Sequence, residues 1–164
     1  MILRTIYVAA MLLVPPTLNA HGLGFFGNLR AAADVASARQ TLLLIFFTAS
    51  DWGLLTHELD IKVWEDPAFA GWANENYSLY LADYPQRVKQ DAARLKFLKS
   101  LAERFEVRHF PTIVGVTPDL QLLGKHEYRG EGGSEILGLT EQWREKFEER
   151  IATESTSKKE NTTK

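Results

Sequence analysis

Apolar and polar positions along this chain fall into blocks whose period switches between that of a strand and that of a helix. The sharpest switch lies in Thr41–Trp64, TLLLIFFTASDWGLLTHELDIKVW. Leu42 to Phe47 is an unbroken apolar run, as a strand covered on both faces requires. The polar turn Thr48–Asp51 follows. From Trp52 the pattern is helical, with Leu55, Leu59 and Val63 at four-residue steps along one face. A turn at the carboxyl end of a strand and the N-terminus of a helix offers free N–H groups and the positive end of a helix dipole to a ligand or nucleophile.

The other blocks extend this pattern. Leu29–Gln40 predicts a short helix, with Ala31, Val35 and Ala38 near helical spacing. Glu65-Asp66-Pro67 opens a further helix, since proline is tolerated in a first turn, with Phe69, Trp72 and Ala73 as its apolar face. Ser78–Asp83 predicts a second strand, stopped by Tyr84-Pro85. Val88–Phe105 carries Val88, Ala92, Leu95, Leu98, Leu101, Ala102 and Phe105 on one stripe, which predicts an amphipathic helix. Thr112–Thr117 and Leu122–Tyr128 read as a hairpin across Pro118-Asp119. Ser134 is the expected N-cap of a last helix, in which Leu139, Trp143, Phe147 and Ile151 recur every four residues. This order predicts an α/β sandwich. A parallel βαβ half joins an antiparallel hairpin half in one mixed sheet, with helices on both faces.

The ends differ in character. Residues 1–20 read as a signal peptide: Arg4, the apolar run Ile6–Val14, the break Pro15-Pro16, and Ala20 before the cut. That run is shorter than the ~20 residues a membrane span needs. The expectation is therefore an exported protein, periplasmic or secreted, with no membrane span after cleavage. Residues 21–28, HGLGFFGN, predict a flexible Gly/Phe-rich arm that packs Phe25 or Phe26 onto the domain. Gly22, Gly24 and Gly27 spell G-x-G-x-x-G, but a leader rather than a strand precedes them, so the context of a dinucleotide site fails. The domain is expected over residues 29–151. Residues 152–164 are expected to form a disordered tail, because Thr153–Lys164 contains no apolar residue.

Length and charge narrow the picture further. A chain of 164 residues makes one domain with a sizeable core. Its net charge of −2 provides no basic face, which argues against nucleic acid as a partner. There is no cysteine. Disulfides, thiolate metal sites and thiol–disulfide exchange by this chain alone are thereby excluded.

Two stretches taken together, Ser50-Asp51-Trp52 before the helix and Phe110-Pro111-Thr112 before the third strand, resemble the thioredoxin superfamily. The likeness is to secreted bacterial thioredoxin-like proteins whose site reads roughly S-D-W-C-G-W-C, and it spans Ala31 to Phe147. It implies a thioredoxin-like three-layer sandwich, with Pro111 cis and facing Gly53–Thr56. Gly53 and Thr56 stand where the two cysteines belong. The buried acid of many relatives, six or seven residues before the first cysteine, corresponds to Phe47 or Phe46. With nucleophile, resolving group and acid all missing, the resemblance implies a redox-inactive member without dithiol enzyme activity or cofactor. The groove itself is retained. Trp52, Gly53, Thr56, Phe110 and Pro111 are its expected residues, and a peptide or protein partner its expected occupant.

Two alternatives stay open. One is a metal-dependent or otherwise non-thiol enzyme using His57 and His109, with Asp51 or Glu58 as third ligand. The four histidines show no metal-ligand spacing, so no metal is the primary expectation. The other is a structural domain with an idle groove.

Overall fold

The computed structural model describes residues 17–18 and 22–162. Its elements are β1 (Thr17–Leu18), β2 (Gly24–Phe26), α1 (Leu29–Arg39), β3 (Leu42–Thr48), α2 (Leu54–Leu59), a π-helical turn (Asp60–Trp64), α3 (Pro67–Asn76), β4 (Tyr77–Asp83), α4 (Ala92–Arg104), β5 (Thr112–Val116), β6 (Leu122–Glu127) and α5 (Gly133–Thr162). The strands form one mixed sheet in the order β1-β2-β4-β3-β5-β6. β2 and β3 run parallel to β4, and β5 runs antiparallel to both β3 and β6.

β3 is buried along its whole length because it is interior to the sheet and covered on both sides. Alternation sends Leu42, Leu44 and Phe46 to one face and Leu43, Ile45 and Phe47 to the other. The first face packs on Leu59, Val63 and Trp64, on Phe69 and Ala73 of α3, and on Trp143 and Phe147 of α5. The second packs on Leu29, Ala32 and Val35 of α1 and on Leu98 and Leu101 of α4. Helix, sheet, helix: the three layers are those expected.

Several expectations are corrected. Gly24–Phe26 is not a flexible arm but a buried strand beside β4. It sends Phe25 into one core cluster and Phe26 into the other, while Asn74 accepts the Gly24 N–H (2.9 Å) and donates to the Gly22 carbonyl (2.7 Å). Thr17 and Leu18, within the expected leader, pair with β2; the rest of residues 1–20 lies outside the described residues. The helix expected from Val88 begins only at Ala92, capped by the Asp91 carboxylate on the Arg94 N–H. Val88 lies outside it and is exposed, as is Leu95 within it. Ser134 does not cap α5: the helix starts at Gly133, and Glu135 reaches back to the Gly132 N–H at 2.9 Å, half of a capping box. The backbone of α5 stays helical to Thr162, past the Ile151 boundary, in a stretch with no glycine or proline after Gly138. Finally, the π turn, closed by Glu65 N–H on the Asp60 carbonyl (2.9 Å), brings Val63 and Trp64 into the core together, and Leu55 is left partly exposed. Among the described residues no helix is long and apolar enough to cross a membrane.

Candidate functional site

Strand register decides what meets at the carboxyl edge of the sheet. β3 and β4 are parallel and end level, Thr48 opposite Asp83, so the turns that follow them emerge side by side. β5 runs the other way and starts there, with Thr112 opposite Phe47, so Phe110–Pro111 arrives at the same edge. The Phe110–Pro111 peptide bond is cis.

The turn after β3 closes on itself. The N–H groups of Trp52 and Gly53 both donate to the Ala49 carbonyl, at 3.3 and 2.8 Å. They are therefore not open to a ligand, contrary to what the strand–turn–helix pattern offers, and α2 behind them is only six residues long. Two carboxylates pin the turn to the loop after β4. Asp83 accepts from Thr48 Oγ1 (3.0 Å), the Ser50 N–H (2.9 Å) and Ser50 Oγ (2.6 Å). Asp51 accepts from the N–H groups of Gln86 (2.9 Å) and Arg87 (2.6 Å). The Trp52 Nε1–H donates to the Tyr84 carbonyl at 2.8 Å, which fixes the indole across the gap.

The backbone bond from Gln86, followed by that from Arg87, holds the Asp51 carboxyl below its ordinary range. Because the folded-state value is depressed, the ionised carboxylate stabilises this loop above the ordinary aspartate range. The contribution is lost as pH falls through the depressed value. We expect the Gln86 and Arg87 amides to exchange faster with solvent as pH is lowered through that window, relative to the intrinsic rate. Asp51→Asn should remove the pH dependence, and hydrogen exchange followed by NMR measures both.

Gly53 and Thr56 occupy a closed corner. The Thr56 hydroxyl is buried and accepts the Ala49 N–H at 3.1 Å. It is thus a structural acceptor and not a waiting nucleophile. Thr56→Val should cost about 1–3 kcal/mol by orphaning that N–H, and Thr56→Ser should restore most of it, read from urea unfolding. Below the turn, Phe46 packs edge-to-face with Phe25 (5.9 Å) and Trp64 (5.7 Å), and Phe47 stacks on Tyr84 (6.2 Å). Aromatic rings, not a carboxylate, fill both positions.

The open part of the site is aromatic. Trp52 meets Phe110 edge-to-face at 6.0 Å, and Phe110 leans on Tyr84 at 4.7 Å. Trp52 is 44% exposed. Beside this pair lies an open depression of about 700 Å³, whose walls include Leu55, Arg108, His109, Tyr128 and Arg129. Of the expected residues, Trp52 and Phe110 come together at its edge, whereas Thr56 is sealed behind them. Tyr84 and Arg108 were not among the expected site residues. Tyr84 could be located from the strand it follows, because a residue just past a parallel neighbour of β3 must emerge at the same edge. His57 and His109 are exposed, and among the described residues no three His, Asp or Glu side chains gather where they could hold a metal. The metal-dependent alternative therefore has no ligand set among them, and Asp51 is already committed to the loop.

No protein-family model matches the chain, and no curated protein matches it in sequence. Solved structures do. A DsbH oxidoreductase superposes with a TM-score of 0.69 at 18% identity, over 75% of this chain and 85% of that one. The oxidised C-terminal domain of Neisseria meningitidis DsbD gives 0.54 at 18%, over 74% of this chain and 100% of its own. A thioredoxin from Thermus thermophilus gives 0.52 at 17%, over 68% and 79%. Identities this low speak for the fold alone. The chain has the thioredoxin-like fold and, with no cysteine anywhere in it, lacks the dithiol of thioredoxin-type redox chemistry.

Proposed function

We propose that the protein is an exported, redox-inactive binding module that holds an extended peptide or protein segment in the groove between Trp52 and Phe110–Pro111. One observation carries the reading. Among the described residues, neither the N–H nor the C=O of Phe110 has a hydrogen-bond partner, and the Phe110 side chain packs edge-to-face on the half-exposed Trp52 ring. A backbone donor and acceptor next to an apolar wall is what strand addition by a peptide uses. Binding and thiol chemistry are separable, since pairing needs no sulfur. Without a cysteine there is no covalent trap, so the complex is reversible. A few strand hydrogen bonds, each a net ~1 kcal/mol, and one aromatic contact support micromolar or weaker affinity.

The test is capture of partners from the exported fraction by the wild-type chain, Trp52→Ala and Phe110→Asp, with folding checked by circular dichroism. Partners lost with Trp52→Ala support the groove. Partners indifferent to both substitutions place the interaction elsewhere and leave the groove idle. The pure protein is expected to give no turnover in an insulin-reduction assay, and robust turnover above the rate of the dithiol reductant alone would overturn the redox-inactive reading.

A further inference from the structure

The groove is one of two apolar depressions that flank the Phe110–Tyr84 contact. The first, about 700 Å³, is walled by Trp52, Leu55, Phe110 and Tyr128. The second, about 660 Å³, lies between Tyr84, Leu98, Ala102 and Val107, with the exposed Leu95 at its margin. Arg108 lines both. The other ionisable side chains at the first depression are His109 and the pair Glu127–Arg129, 3.7 Å apart. At the second they are the pair Lys99–Glu103, 3.9 Å apart, and Glu106. With both pairs self-compensated, Arg108 is left with no ion-pair partner among the described residues, on a wall shared by two apolar hollows. Glu106 lines only the second hollow, so the first carries a net positive side.

A guanidinium is always charged and presents a planar fork of donors that matches a carboxylate. Apolar hollows on both sides select large apolar side chains, and the extended backbone they flank must pass Arg108. Resting on the groove reading above, we propose that the partner segment carries an acidic side chain flanked by large apolar residues. Its carboxylate meets Arg108, and its apolar side chains occupy the two depressions. Arg108 then determines specificity, and the α4 hollow is a second anchoring site.

The test uses three labelled synthetic peptides, acetyl-Leu-Phe-Glu-Leu-Phe-amide and its Gln and Lys counterparts at the central position, titrated with the full chain by fluorescence anisotropy. The Glu peptide should bind about threefold to tenfold tighter than the Gln peptide at low salt, and the advantage should shrink as salt rises. The Lys peptide should be weakest. Arg108→Gln should abolish the Glu preference. Leu95→Glu should weaken all three, whereas Val88→Glu, equally exposed but outside both hollows, should not. Equal binding of Glu and Gln peptides, or a preference that persists in Arg108→Gln, overturns the acidic specificity. If the Gln peptide still depends on Trp52 in that case, the groove reading survives. An unaffected Leu95→Glu overturns the second anchor. Failure of all three peptides to bind removes the inference and the groove reading together.

Discussion

Truncating Trp143 to alanine is expected to destabilise the domain by about 3–5 kcal/mol, the largest single-residue effect anticipated here. Trp143 projects from α5 onto β5 and β6 and is 4% exposed. It lies over Gly115 and Gly124, which face each other across the two strands. A Cβ at Gly115 would stand 2.4 Å from the indole, and one at Gly124 only 2.1 Å. Both glycines are therefore needed for space, and the ring fills what their missing side chains leave. Removing the ring opens a hollow that rigid strands on one side and a helix on the other cannot collapse into. The loss should appear as a lower urea midpoint at an unchanged m-value. A double-mutant cycle makes the cause specific. Gly115→Ala alone should cost about 1–3 kcal/mol by overpacking, and much less in the Trp143→Ala background, because the atom it collides with is gone. Additive costs would show that the two positions do not share this contact. The effect should reach the groove as well, since β5 follows directly from Phe110–Pro111.

The second large effect concerns Gly53, which the sequence resemblance aligns with the first cysteine. Gly53→Ala, the smallest step toward any side chain there, is expected to destabilise the protein by about 1–3 kcal/mol. The backbone alone argues the opposite. Gly53 sits at φ −89°, which any residue adopts, and replacing glycine under those conditions usually stabilises by about 0.4–1 kcal/mol through the unfolded chain. Space decides the sign. An added Cβ would meet Thr56 Oγ1 at 2.8 Å, the Ala49 carbonyl oxygen at 2.9 Å and Ala49 Cβ at 3.0 Å. The oxygen belongs to the backbone that anchors the turn, where it accepts from both Trp52 and Gly53, and it cannot move cheaply. Gly138 in α5 provides the contrast: nothing stands within 4 Å of its added Cβ, so Gly138→Ala should stabilise by about 0.5–1 kcal/mol. Gly53→Cys must fit the same Cβ and a sulfur beyond it. In a Gly53→Cys, Thr56→Cys double variant the Ala49 N–H would also lose its hydroxyl acceptor. Chemical denaturation of the single variants measures the strain directly. A Gly53→Ala variant more stable than wild type would show that the turn is looser than this geometry. Gly53 and Thr56 thus sit in a closed corner, in a chain that has no thiol with which to exchange disulfides.

How far the sequence carries depends on whether the cause of a feature is local. The continuous apolar run of β3 had to be covered on both faces, and the all-buried strand follows from hydrophobicity alone. The absence of cysteine settles the absence of a dithiol without any coordinates. Asp66 before Pro67 marks the start of α3, and in the structure its side chain caps the Ala68 N–H at 2.9 Å. β2 is different. Three residues cannot display a period, and Gly24–Phe26 becomes a strand only because β4, some fifty residues later, presents an edge and Asn74 supplies the bonds. The start of α4 lies at Ala92, where the Asp91 carboxylate caps the Arg94 N–H, and the loop before it is held from a distance by Asp51 on the N–H groups of Gln86 and Arg87. A stripe such as Val88–Leu95–Leu98 states which residues prefer burial, not whether another surface arrives to bury them, and for Val88 and Leu95 none does. The same holds for the groove. Trp52 and Phe110 could be paired from the sequence only through the resemblance, whereas Tyr84 joins them because the parallel strands β3 and β4 end level, and Arg108 because antiparallel β5 starts at that same edge. Chain-local hydrophobicity and residue chemistry determined the layers and the missing thiols; strand pairing across long separations, which no local window contains, decided the site.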